Sequence, residues 1–214
     1  MALPEKYVIT VGRSLGAGGR VTGHRLAEAL GIDYYDKELL ASAAESVGMD
    51  KRLFEKNDER APGFLAGLLP MSMGYNALAW YAGPNNVSGE AVYGAQCDFI
   101  RRAADKGPCV IVGRTADYVL RDNPNVVSVF LHADEDACVD RIVRREECCT
   151  PQAARALIRK TNRLRAEFYN FYTDRTWGAA ATYDLTINSA RIGLEDRVRL
   201  IIDFINCRFG SQHK

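Results

Sequence analysis

The chain has 214 residues, a formal net charge of +1, 47% hydrophobic and 26% charged residues, which fits one globular domain with room for small insertions. With charge so nearly balanced, no general field steers it to nucleic acid or to a membrane surface, and any basic site must be local. The six cysteines are scattered and the three histidines do not cluster with them. No disulfide framework and no metal site are therefore expected, and a reducing cytoplasm is the simplest location.

Met1 to Lys6 lacks the apolar core of a signal peptide. Tyr7 to Val11 is a short apolar, β-branched run that meets a glycine cluster, Gly12, Gly16, Gly18 and Gly19. Val21, Leu26, Ala27 and Leu30 then recur at helical spacing, and Gly31 stops the helix. Strand, glycine loop and helix together make a phosphate site plausible, because glycines let backbone N–H groups close on an anion at the positive end of a helix. A tight strand-to-helix turn is the plainer alternative. The spacing departs from G-x-x-x-x-G-K-[ST]: with Gly16-Ala17-Gly18 laid on its last glycines, Gly19 falls on the Lys and Arg20 follows. Arg20 would then carry the charge on the outer phosphates, and the magnesium-ligating hydroxyl is either displaced to Thr22 or missing.

Ile32 to Tyr35 reads as a second strand. Asp36 either caps a helix running to about Val47 or positions a substrate beside the loop. Signals blur from Gly48 to Gly89, as in an acceptor-side insertion. Within it, Gly63 to Gly83 is uncharged but broken by Pro70, Ser72, Gly74 and Asn76, so no membrane span is expected. It reads as one or two buried helices, or as a surface that a second copy could cover.

A helix is predicted from about Gly89 to Ala104. Cys109 to Val112 has the continuous apolar character of a strand buried on both faces, and it leads straight into Gly113-Arg114-Thr-Ala-Asp117. In open α/β sheets ligands gather at the carboxyl ends of strands, so Arg114 and Asp117 should face the same crevice as the glycine loop. Val126 to Leu131 is a further strand. Helices follow from Asp134 to about Glu147 and from Thr150-Pro151 to about Asp174, rich in arginine. These could form a nucleic-acid face, solvated helix faces or an arginine-lined pocket. With no aromatics interleaved, the pocket is preferred. Tyr183 to Asn188 is the last strand, and Leu194, Val198, Ile201, Ile202 and Ile205 form a closing amphipathic helix. Strands alternating with helices predict a three-layer α/β/α fold with a parallel sheet.

The blocks Ile-Thr-Val-Gly-Arg-Ser-Leu-Gly-Ala-Gly-Gly-Arg20, Tyr-Tyr-Asp36-Lys-Glu-Leu, Val-Ile-Val-Gly-Arg114-Thr-Ala-Asp117, Asn162-Arg-Leu-Arg165-Ala-Glu-Phe-Tyr-Asn-Phe-Tyr-Thr and Trp177-Gly, in this order, resemble the cytidylate kinase-like family of P-loop proteins. The resemblance implies a single nucleoside-monophosphate-kinase-like domain over 1–214, an acceptor-side insertion at 48–90 and a lid at 141–165. It implies phosphoryl transfer from ATP with Mg2+ to a nucleotide acceptor, classically CMP or dCMP. By the same resemblance Gly16, Ala17, Gly18, Gly19, Arg20, Val21 and Thr22 hold the donor phosphates. Arg20, Arg141, Arg145, Arg159 and Arg165 are the catalytic cations, and Asp36, Arg114, Asp117 and Asn162 serve the acceptor. Two positions depart from true cytidylate kinases: Gly19 replaces the loop Lys, and Asn162 stands where an Asp would read the acceptor. The other expectations are a nucleotide-binding module without turnover and a homo-oligomer formed through 63–83.

Overall fold

The structure, a computed structural model, describes residues 3–36, 89–145 and 150–210. In chain order it contains β1 (Val8–Arg13), α1 (Gly19–Leu30), β2 (Asp33–Tyr35), α2 (Gly89–Lys106), β3 (Cys109–Val112) and the single-turn α3 (Ala116–Val119). There follow β4 (Val126–His132), α4 (Glu135–Arg144), α5 (Pro151–Thr173), a 3-10 turn (Ala180–Thr182), β5 (Leu185–Asn188) and α6 (Leu194–Gly210). The helix expected after Asp36, nearly all of the insertion at 48–90 and the uncharged stretch at 63–83 lie outside the described residues.

Among the described residues the strands form one sheet in the order β2-β3-β1-β4-β5, and all neighbours are parallel. Side chains alternate between the sheet's two faces. Ile9, Val11, Val110, Val112, Val127, Val129 and Leu131 pack with Leu26 of α1 and Ile201, Ile205 and Phe209 of α6. Val8, Cys109, Ile111 and Val126 pack on the other face with Cys97, Ile100 and Ala103 of α2 and with α3. A sheet apolar on both faces needs a helical layer on each, which is why these strands read as continuous apolar runs. The three layers predicted from the sequence are present.

Boundaries move by one or two residues where side chains have other work. β5 starts at Leu185 rather than Tyr183, whose ring lies against Phe130 at 4.8 Å between centroids. Asp184 staples the edge of the sheet. Its Oδ2 accepts from both the N–H and the hydroxyl of Ser128 at 2.8 Å, and its Oδ1 accepts from Arg208 Nη1 at 2.6 Å. Asp184→Ala is expected to lower stability by about 1–3 kcal/mol, since it strands a β4 N–H and removes a charged acceptor. Urea unfolding followed by circular dichroism measures this. A change within error would mean that the staple contributes nothing.

Candidate functional site

β1 is central, and the chain leaves it toward β2 on one side and later crosses over it to reach β4 on the other. This reversal opens a crevice at the carboxyl ends of β1 and β3. A cavity of about 430 Å³ occupies it, lined by the last residues of β1 and those after it (Gly12 to Gly16 and Gly18 to Val21) and by residues following β2 (Asp36) and β3 (Gly113 to Thr115, and Asp117). Arg145 and Arg165 enter from the α4 and α5 side, and Phe168, Tyr169, Trp177 and Tyr183 form an aromatic wall.

The glycine loop is held from behind. Gly16 (φ +81°) and Gly18 (φ +76°) are left-handed, the conformation glycine adopts without strain. Gly16 also lies flush on α4: a methyl group there would sit 2.7 Å from Cβ and 2.9 Å from Cα of Cys138. Arg141 donates from Nη1 to the Gly16 carbonyl at 3.0 Å and from Nη2 to the Ser189 carbonyl at 2.7 Å. Asn162 Oδ1 accepts from the Leu15 N–H at 2.8 Å. Thr22 is fully buried; its hydroxyl donates to the Gly18 carbonyl at 2.9 Å and accepts from Arg197 Nε at 2.9 Å. Arg197 also donates to the carbonyls of Ser189 and Ile192, and burial together with the nearby Arg141 charge lowers its pKa. These contacts fix the loop so that the opening N–H groups of α1, which no helical carbonyl can reach, stand at the cavity.

The second strand end is strained. Gly113, Arg114 and Thr115 are consecutive left-handed residues, at φ +83°, +63° and +55°. A non-glycine residue in this region costs about 1–3 kcal/mol and persists where its surroundings over-determine it. Here the Thr115 and Tyr93 hydroxyls meet at 3.0 Å, and the Ala116 N–H returns to the Gly113 carbonyl at 3.2 Å. The turn brings the Arg114 side chain into the cavity. Burial and the adjacent Arg165 charge pull the Arg114 pKa down to about 10, and Asp36 opposes this only in part. A cation depressed by burial and a like charge is the state that a bound anion relieves.

Not every residue expected at the site reaches it. Gly16, Gly18, Gly19, Arg20, Val21, Asp36, Arg114, Asp117, Arg145 and Arg165 line the cavity. Ala17, Thr22, Arg141 and Asn162 do not; Ala17 is fully buried, and the other three brace the loop. Arg159 is on the surface, donating to Glu135 Oε1 at 3.1 Å with its side chain 72% exposed. Arg155 and Arg163 also pair with nearby carboxylates, so most of the arginine-rich stretch is solvated helix face. Arg20 turns toward Asp36, with Nη2 to Oδ2 at 2.9 Å. The Tyr34 hydroxyl is 3.4 Å from the same carboxylate oxygen, and burial pushes its pKa up to about 12. Asp117 accepts from the Tyr169 hydroxyl, and burial raises its pKa. Sequence reasoning missed Arg13 and Arg197. Arg13 carried a usable signal, because like Arg114 it is a charged residue at the end of a buried strand.

The strand order, with a glycine loop after the middle strand, is that of a P-loop kinase-like fold. The chain belongs to the cytidylate kinase-like family, whose sequence profile matches residues 8–191. A crystal structure of an uncharacterised protein from Eubacterium ventriosum is similar, at 27% identity over 94% of this chain and 99% of that one, with a TM-score of 0.71. Shikimate kinase from Bacteroides thetaiotaomicron shares the fold at 15% identity, over 94% of this chain and 98% of that one, with a TM-score of 0.55. Shikimate kinase from Acinetobacter baumannii shares it at 16% identity, over 99% and 97%, with a TM-score of 0.52. No curated protein matches the chain in sequence. No helix among the described residues is long and apolar enough to cross a membrane.

Proposed function

We propose that the chain transfers a phosphoryl group from ATP to a small phosphate-bearing acceptor, a nucleoside monophosphate being the first candidate. One observation carries the reading: five arginines, 13, 20, 114, 145 and 165, line one cavity beside the glycine loop, and among the described residues two carboxylates, Asp36 and Asp117, line it with them. Several guanidiniums around one crevice suit two phosphorylated ligands meeting end to end. The glycine loop and the start of α1 would take the donor phosphates, and Arg114 and Arg165 the acceptor side. The aromatic wall offers an apolar surface to a base or sugar. In the transfer, the bond from the γ-phosphorus to the bridging oxygen breaks, an acceptor oxygen bonds to phosphorus, and ADP leaves. The protein's work is to position both ligands and neutralise the equatorial oxygens.

The left-handed glycines and the opening N–H groups of α1 offer donors to ATP's phosphate chain. Magnesium does not find its usual hydroxyl, since Thr22 is buried and bonded twice while Arg20 is turned to Asp36. Among the described residues no group of three His, Cys, Asp or Glu side chains could hold a metal ion. The same loop chemistry favours a second reading, a nucleotide-binding module without turnover.

A compound joining two nucleosides through five phosphates tests whether donor and acceptor sites adjoin. Measured by calorimetry, it is expected to bind at least about 10²-fold tighter than ATP, because its second half binds intramolecularly. Affinity equal to that of ATP would leave one nucleotide site and support the binding module.

A further inference from the structure

The residue missing from the loop's usual pattern is the lysine, and Gly19 stands at its position. A methyl group placed on Gly19 would lie 2.6 Å from both Cβ and Cγ of Arg13, and 3.3 Å from its Cδ. The direction in which a side chain at 19 leaves the helix is therefore filled by the aliphatic stem of Arg13. At its other end, Arg13 crosses to Gly113, where a methyl group would overlap Nη1 and lie 2.9 Å from Cζ. Its guanidinium thus sits between the donor loop and the strained turn that presents Arg114, on the cavity wall. The main chain at Arg13 is tied in as well, since its carbonyl accepts from Arg165 Nη1 at 3.3 Å.

We propose that Arg13 is the cation that contacts the transferring phosphate in place of the absent lysine, and that Gly19 and Gly113 are glycines because the Arg13 side chain lies across both. This rests on the phosphoryl-transfer reading above. Arg20, the substitute expected from the sequence, is directed instead at Asp36, with its side chain 58% exposed. A guanidinium also suits the place chemically, because its planar fork can hold two phosphate oxygens where an ammonium offers a point charge.

The test is a charge relocation. Four proteins are compared: wild type, Arg13→Met, Arg13→Lys and the double variant Arg13→Gly/Gly19→Lys. The Met variant keeps the stem that packs on Gly19, so thermal melting should show it folded. Binding of ATP and of inorganic tripolyphosphate is measured by calorimetry, and turnover by product formation. Arg13→Met is expected to lower kcat by about 10²-fold or more, with a smaller loss of ATP affinity. Arg13→Lys should recover part of the rate, and the double variant most of it, because it returns a cation along the path the stem had filled. Arg13→Met turning over at the wild-type rate would overturn the proposal while leaving the phosphoryl-transfer reading intact. A folded double variant no better than Arg13→Met would overturn it too. Wild-type protein binding neither ATP nor tripolyphosphate would sink both readings.

Discussion

Arg114→Gly should make the protein more stable and far less active. The residue sits at φ +63° between two other left-handed residues, in a place where burial and Arg165 depress its guanidinium. Glycine adopts that backbone freely, so the substitution relieves local strain of about 1–3 kcal/mol, set against the lost packing of the side chain. A net gain of about 1 kcal/mol in urea unfolding is expected. Acceptor-dependent turnover should fall by about 10²–10³-fold, as for loss of one preorganised group aimed at transition-state charge. ATP affinity should change little, because the donor loop is not touched. A loss of stability together with activity would mean that Arg114 holds the fold, and its role as a phosphate ligand would lose its support.

The second large effect is at Gly16. A methyl group there meets the backbone of α4 as well as the Cys138 side chain, and the left-handed φ of +81° is unfavourable to alanine in any case. Gly16→Ala is expected to cost about 3 kcal/mol, combining backbone strain with overpacking against a helix that cannot easily shift. Gly31→Ala is the control. That glycine is also left-handed, at φ +65°, but a methyl group would meet nothing within 4 Å. It should lose only about 1 kcal/mol, the backbone share alone. Equal losses at the two sites would show that the loop is not seated on α4 as described.

Most of the fold was legible because its elements are local and strongly patterned. Cys109 to Val112 is continuously apolar and is the strand β3 residue for residue. Thr150-Pro151 opens α5 as read, with the Thr150 hydroxyl accepting from the Ala153 N–H at 3.2 Å. The crevice was legible too, since strand ends and a glycine loop can be placed together by topology alone. Which arginine points where was not. Arg141 and Arg145 lie one helical turn apart, yet one braces Gly16 and Ser189 and the other lines the cavity. Arg159 and Arg165 diverge in the same way, toward Glu135 and toward the Arg13 carbonyl. Such choices depend on helix rotation and on partners that lie from 24 to 152 residues away in sequence, which periodicity does not encode. What fills the space at Gly19 was hidden for a related reason. Motif spacing assigned the phosphate charge to the next cation along the chain, Arg20, whereas the space at Gly19 is filled by a residue six positions earlier.

The central claim is that this cavity moves a phosphoryl group between two bound ligands. Its most direct test is incubation with γ-labelled ATP and a panel of nucleoside monophosphates, with and without magnesium, following label in diphosphate products and in free phosphate. Label appearing in a nucleoside diphosphate, and lost in Arg13→Met and Arg114→Gly, is the predicted result. ATP bound stoichiometrically with neither transfer nor hydrolysis across the panel would contradict the claim and leave a nucleotide-binding module.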